Sequence, residues 1–538
     1  MKKLILLCLI IATIVHFSYA QEAVTKLSPK ASKGFLYLST YDGDNLAITY
    51  KMPVKKRSKE VLYEQYLFDS KLGFKGANPV SFEKEEKPDR TNGYLRAYVG
   101  GNTSFNVLSM KLRVNKEEWE ERWNMARQQY EYARRLSSTT VKLKKDIEHY
   151  LGHASYSNDN GELIVVVAHD APNKSEGRMF SLLKVDMNLD VKEIPVTTQP
   201  GYSLVYTDVL ENGNIYVILA PATGSDYLYA EYTNQGDEVV KNNFQAPSPN
   251  TLIFKHAERD GMLYFIGLSR NSHDPYPKVF DDYAPIYSPG YSNAANYQQD
   301  KYEKKAFNKE AENFHLLKFD SGKLLYASTT PTNGFAYKLK TPPSQKKGSA
   351  YKGRRIEMQE FIVTPSGEFL MAGQLTKRKM LKTSNKSMFG DAQIVNTYLD
   401  IVCFHFDAQG NLKAQYAVDK MLNDKKSEIF QIGHNFIASA DGKTVYWEML
   451  EVKGTEGYGS FMDAYHGKPS FYAHYFPRIA KINIADASVS NFDVMGGKGK
   501  YLLYRNNSLV WDNASRTRYY VGHDKKYKNL FVGKYEMP

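Results

Sequence analysis

Short runs of bulky residues alternating with polar ones recur through most of this chain, each entered through a polar turn that ends in glycine. Aligned on that glycine, the stretches are "NDNGELIVVV" (158 to 167), "LENGNIYVIL" (210 to 219), "ERDGMLYFIG" (258 to 267), "TPSGEFLMAG" (364 to 373) and "SADGKTVYWE" (439 to 448). Asn-Gly and Asp-Gly supply the positive φ angles of a tight hairpin, and the Val, Ile, Tyr and Phe that follow fill a strand. The glycines at 161, 213 and 261 are 52 and 48 residues apart, the period of one repeated supersecondary unit. A second hairpin follows each first one, in "LLKVDMNLDVKEI" (182 to 194), "LYAEYTNQGDEVV" (228 to 240), "HLLKFDSGKLLYA" (315 to 327), "IVCFHFDAQGNLKAQYA" (401 to 417) and "IAKINIADASVSNFDV" (479 to 494).

Two hairpins per period of about 50 residues make a four-stranded antiparallel sheet, the blade of a propeller. Counting "WDNASRTRYYVGH" (511 to 523), six turns of the first type are legible, and residues 34 to 112 give one less regular unit more. The pattern predicts an all-β fold, a β-propeller of about seven (six to eight) four-stranded antiparallel blades forming one domain. The last blade is short, so "GFLYLST" (34 to 40) is expected to complete it by pairing with the final strand, which removes an exposed edge.

"SADGKTVYW" resembles the Ser-Pro-Asp-Gly-Lys turn of the secreted WD40-like β-propeller repeats of bacterial envelope proteins, and "TPSGEFLMA" is a looser match. The first lacks the proline and the second the Asp-Gly-Lys, so the resemblance covers about two blades. It implies a propeller used for binding and carries over no functional residue.

One stretch has a different period. In "NKEEWEERWNMARQQYEYARRL" (115 to 136), Trp119, Trp123, Ala126, Tyr130 and Ala133 recur at spacings of four, three, four and three, and Asn115 with Glu118 has the form of a capping box. The spacing predicts an inserted α-helix over 115–136.

Long connections are expected at 271–312, 376–397 and 453–478 within blades and at 331–354 between blades. In an antiparallel blade both kinds leave from the same end of the strands, so they share one face, where loops on a rigid scaffold carry function. The candidate binding residues are Tyr276, Tyr283, Tyr287 and Tyr291 in the first of these loops, and Tyr458, Tyr465, Tyr472 and Tyr475 in the last. Tyrosine joins a large contact area to a hydrogen-bonding tip. Lys346, Lys347, Arg354, Arg355, Lys377, Arg378 and Lys379 make the other two loops basic. Packing of these rings against one another, and plain solvation of the lysines, are the alternative readings.

Residues 1–20, with Lys2 and Lys3 ahead of an apolar run from Leu4 to Val15 and a Ser18-Tyr19-Ala20 cleavage site, read as a secretory signal peptide. The expected location is therefore the periplasm or the outer-membrane surface. Loss of Lys2 and Lys3 takes the formal charge from +12 to +10, a balance that suits an anionic envelope surface, an acidic glycan or an acidic protein. Without a compact arginine-rich block, nucleic acid is not an expected partner. Cys403 is the sole cysteine after residue 20, so no intrachain disulfide is expected.

No nucleophile elbow, zinc-protease helix, phosphate loop or Cys-x-x-Cys pair occurs. Cys403, in the alternating strand "DIVCFHFD", reads as a small buried residue, with His405 two positions on as its only prospective base. His273, His466 and His474 have no metal-site spacing, "YDGDN" (41 to 45) is a fragment of a calcium loop, and no cofactor or metal is expected. Glycoside-cleaving carboxylates need only meet in space, and Asp281, Asp282 and Asp463 are the loop candidates. The leading expectation is a non-enzymatic exported propeller that binds an envelope protein, as a soluble subunit of an outer-membrane or secretion complex. The alternative is a carbohydrate-binding or carbohydrate-active propeller, a hydrolase or lyase.

Overall fold

The computed structural model describes residues 20–53, 60–83, 94–104, 107–124, 129–140, 150–170, 177–280, 311–345, 350–354, 356–382, 392–421, 430–457, 471–503 and 508–538. Strands dominate these residues, and the hairpins read from the turn pattern are present. Among the described residues several four-stranded antiparallel groups follow one another, labelled sheet I (35–83), sheet II (150–195), sheet III (202–245), sheet IV (252–331), sheet V (356–418), sheet VI (433–494) and sheet VII (509–536 with residues 20–26). Arg178↔Tyr202 joins II to III, Tyr501–Leu503 joins VI to VII, and Leu339–Lys340 adds a parallel strand to V. A three-stranded sheet, Tyr94–Ser104, Val107–Asn124 and Gln129–Thr140, lies between sheets I and II in sequence and packs on the first strand of sheet II.

The turn glycines behave as their chemistry requires. Gly161, Gly213, Gly261, Gly367 and Gly442 have φ between 68° and 84°, and at the Asp260-Gly261 turn both residues are positive, at 51° and 73°. That is the two-residue turn whose twist matches a hairpin.

Successive sheets pack face to face. Ile215, Val217 and Leu219 of sheet III point into a core shared with sheet II, while Tyr216, Ile218 and Ala220 point into the core shared with sheet IV. A strand buried on both faces must be apolar at every position, which is why "IYVILA" and "LIVVVA" are unbroken runs. Further cores join sheets IV and V, V and VI, VI and VII, and VII and I. The first strands of neighbouring sheets III, IV, V and VI lie against one another.

Five first strands carry one extra residue opposite the second strand: Tyr37, His153, Val205, Phe254 and Gln359. Such a bulge resets the alternation of side chains. In sheet IV it puts Ile253 and His256, three apart rather than two, on the same side, against sheet III.

Three expectations are corrected. Residues 115–136 form no helix: Val107–Asn124 and Gln129–Thr140 pair antiparallel, with Trp119 opposite Arg134 and Trp123 opposite Tyr130. Trp119 and Trp123 are an even number apart, so a period of two accommodates them as well as a helical turn does, and aromatic residues favour strands. The final strand, Asn529–Glu536, pairs with Ala20–Lys26 and not with residues 34–40, which begin sheet I. Residues 376–397 and 453–478 are not plain loops: the ladders of sheets V and VI continue through them to Lys382↔Ala392 and Gly457↔Phe471. Residues 1–19, expected above to be most of a signal peptide, lie outside the described residues. Among the described residues no helix is long and apolar enough to cross a membrane.

Candidate functional site

The first strands of sheets III, IV and V, Tyr202–Val209, Leu252–Arg259 and Ile356–Val363, wall a cavity of about 430 Å3 at the end where each enters its tight turn. Its volume falls in the range of roughly 300–1,000 Å3 typical of small-ligand sites. Val209, Leu210, Ala257, Phe361, Ile362 and Val363 line it beside Glu211, His256 and Glu258, and most of the lining surface is polar because the apolar side chains of Leu210, Phe361 and Val363 turn into the cores between sheets.

His256 is the centre of the polar wall. Its Nδ1 lies 3.4 Å from Asp208 Oδ2, and its Nε2 lies 3.7 Å from Glu258 Oε1. Nδ1 is buried, and its approach to Asp208 is a close contact without an aligned hydrogen bond. Aromatic rings fix the imidazole, with Tyr206, Tyr216 and Phe265 at centroid distances of 6.2, 5.5 and 6.4 Å. The carboxylates are fixed in turn: the Tyr206 hydroxyl donates to Asp208 Oδ2 at 3.0 Å, and the Glu211 backbone N–H donates to Glu258 Oε1 at 2.7 Å.

The surroundings separate the carboxyl groups in proton affinity. Burial works to raise Asp208, but His256, the Val209 backbone N–H and the Tyr206 hydroxyl outweigh it and hold Asp208 below the usual carboxylate range. Burial pushes the Tyr206 hydroxyl far up, with the Asp208 charge adding to the effect, and pushes Tyr156 up to about 12. Glu360 precedes Phe361 on the cavity wall and shares a side of its strand with Ile362. Burial pushes Glu360 up to about 7 against the pull of Lys255.

Other chemistry-bearing groups are engaged structurally. Cys403 is fully buried and its thiol is pushed well up by burial. His405, its neighbour on the strand, faces the Tyr416 hydroxyl at 3.1 Å and Glu368 at 2.5 Å. His315 is buried between Ser269 and Thr329, and burial lowers it to about 4. Among the described residues no three His, Cys, Asp or Glu side chains come together to hold a metal ion.

The residues expected from sequence lie elsewhere. Tyr276 is wholly buried between sheets III and IV, its hydroxyl donating to the Leu204 carbonyl at 3.2 Å, so it is a core residue and not a binding one. Tyr475 is half-buried against the cores on both sides of sheet VI, His474 is buried, and Arg354 is exposed. Tyr472, Lys377, Arg378 and Lys379 fall on strand backbone, in Phe471–Asn483 and Phe369–Lys382. Tyr283, Tyr287, Tyr291, Tyr458, Tyr465, Lys346, Lys347 and Arg355 lie outside the described residues, as do Asp281, Asp282, Asp463 and His466. The cavity residues were missed because they sit on strands rather than in long loops. One signal was present: Glu211 and Glu258 stand two and three places ahead of aligned turn glycines.

No family model and no curated protein matches this chain. Its strand arrangement is similar to that of an ulvan lyase described as a new polysaccharide lyase family (9% identity, 95% of this chain and 95% of that chain, TM-score 0.30). An exo-β-1,3-galactanase from Clostridium thermocellum is similar over 96% of this chain and 97% of its own at 11% identity, with a TM-score of 0.25. A levansucrase from Bacillus subtilis is similar over 64% and 88% at 11% identity, with a TM-score of 0.21. These values assign no activity to this chain. The leading expectation of a non-enzymatic envelope-protein binder is nonetheless corrected: the solved structures found similar to this chain are mostly carbohydrate-active enzymes, in line with the alternative expectation.

Proposed function

We propose that sheets I to VII are the blades of a propeller, with the three-stranded sheet seated between the first and second, and that the cavity on the first strands hydrolyses a glycosidic bond. Face-to-face packing of successive sheets, contact between their first strands, and pairing of Ala20–Lys26 with the last strand support the architecture.

The observation that carries the hydrolytic reading is the seat of His256, with a carboxylate facing each ring nitrogen, on the wall of the cavity. A breaking glycosidic bond needs a proton for the leaving oxygen and negative charge beside the sugar carbon as it becomes cationic. His256 meets the first need and Glu258 the second, with Asp208 holding the imidazole from behind. Elimination from a uronic acid would instead need a cation to neutralise the sugar carboxylate, and among the described residues no lysine or arginine lines the cavity.

The test is release of reducing sugar from a panel of oligosaccharides by the full chain and by His256→Ala and Asp208→Asn. Each substitution should lower kcat/KM by about 100-fold or more with an unchanged melting temperature. No release from any sugar by the unaltered chain, or full activity of His256→Ala, overturns the reading.

A further inference from the structure

The net charge of the chain is +12, yet the cavity is of the opposite sign. Glu211 and Glu258 line it, Asp208 stands behind His256, and among the described residues the imidazole is the only group on the wall able to carry positive charge. The cations on the same strand as His256 are engaged: Arg259 Nε lies 3.2 Å from Asp260 Oδ2, its Nη1 donates to the Val363 carbonyl at 3.1 Å, and Lys255 interacts with Glu360. The rest of the lining is mostly polar, since Phe361 and Val363 bury their side chains in the core between sheets IV and V. A sugar ring offers hydrogen-bonding substituents at its edge for the acids and the polar lining. A substituent that is an ammonium group gains charge-assisted contacts there, and one that is a carboxylate meets like charge in a partly desolvated place.

We infer that this cavity takes an amine-bearing sugar, a unit with a free amino group on the ring, and rejects acidic glycan. The inference rests on the hydrolytic reading of the same site and names its substrate class.

Three tetramers of equal length separate the possibilities: glucosamine, its N-acetylated twin, and galacturonate. In calorimetric titrations of the full chain, the glucosamine tetramer is expected to bind about 10-fold tighter than its N-acetylated twin, and the galacturonate tetramer weakest. The preference should shrink as salt rises and the charges are screened. In Glu211→Gln the ratio of amine to N-acetyl affinity should fall towards one. Equal affinity for the amine and its N-acetylated twin, or tighter binding of galacturonate, overturns the inference and leaves hydrolysis standing. Failure of all three to bind, with no sugar cleaved, removes both.

Discussion

At Glu360 the fold holds a carboxyl group where charge is costly. Burial pushes it from the ordinary 4.5 to about 7, and Lys255 offsets only part of that. The folded chain therefore keeps a proton that the unfolded chain releases near 4.5. The stability this group contributes is complete below about 4.5 and is lost as pH rises through 7. In urea unfolding at a series of pH values, the chain should lose up to roughly 3 kcal/mol over that window, and Glu360→Gln should flatten the loss. Parallel curves for the two proteins would show that Glu360 titrates normally. Asp208 runs the other way, ionised at neutral pH through His256, Val209 and Tyr206. Little of this was legible in the sequence. Asp208, His256, Glu258 and Glu360 look like ordinary polar positions on alternating strands, and what makes them a site is which faces the bulges at Val205, Phe254 and Gln359 turn together. Tyr276 shows the converse, since a tyrosine-rich loop looks like a binding surface until one ring is found filling a core.

The elements were more legible than the residues, and the reason is local chemistry. A turn that needs positive φ selects glycine directly, so the hairpins could be aligned on Gly161, Gly213, Gly261, Gly367 and Gly442. The segment 115–136 was misread because two tryptophans four apart satisfy both periods, and only pairing with Gln129–Thr140 decides between them. Glycines of the same φ are not equally replaceable. At Gly261 (φ 73°) a Cβ would meet nothing within 4 Å, whereas at Gly353 (φ 80°) it would lie 1.8 Å from the Ala311 carbonyl oxygen. Gly261→Ala should cost about 1 kcal/mol, the backbone preference alone. Gly353→Ala should cost several times more, because the carbonyl must also move. Chemical unfolding of the two variants checks the order, and equal losses would mean that the 350–354 segment yields freely.

At the scale of the whole molecule, the sequence pattern anticipated that the chain's beginning would pair with its end, and it chose the wrong segment. Residues 34–40 have strong strand character, but the bulge at Tyr37 and the turn at Gly43 commit them to begin sheet I. Ala20–Lys26 is the segment that covers Asn529–Glu536, in seven register pairs from Ala20↔Tyr535 to Lys26↔Asn529. Its Glu22 carboxylate also accepts the Gly496 backbone N–H at 2.7 Å, tying sheet VII to the segment that follows sheet VI. This strand is worth more than its own burial, because Val532 and Leu530 behind it belong to the core shared with sheet I. Removing residues 20–26 would leave the donors and acceptors of the last strand open to other chains. The truncated protein should melt several degrees lower and form concentration-dependent oligomers in sedimentation. An added peptide of sequence AQEAVTK should reverse both effects by refilling the edge. A truncated chain that stays monomeric with an unchanged melting temperature would mean that sheet VII is held by its other three strands alone.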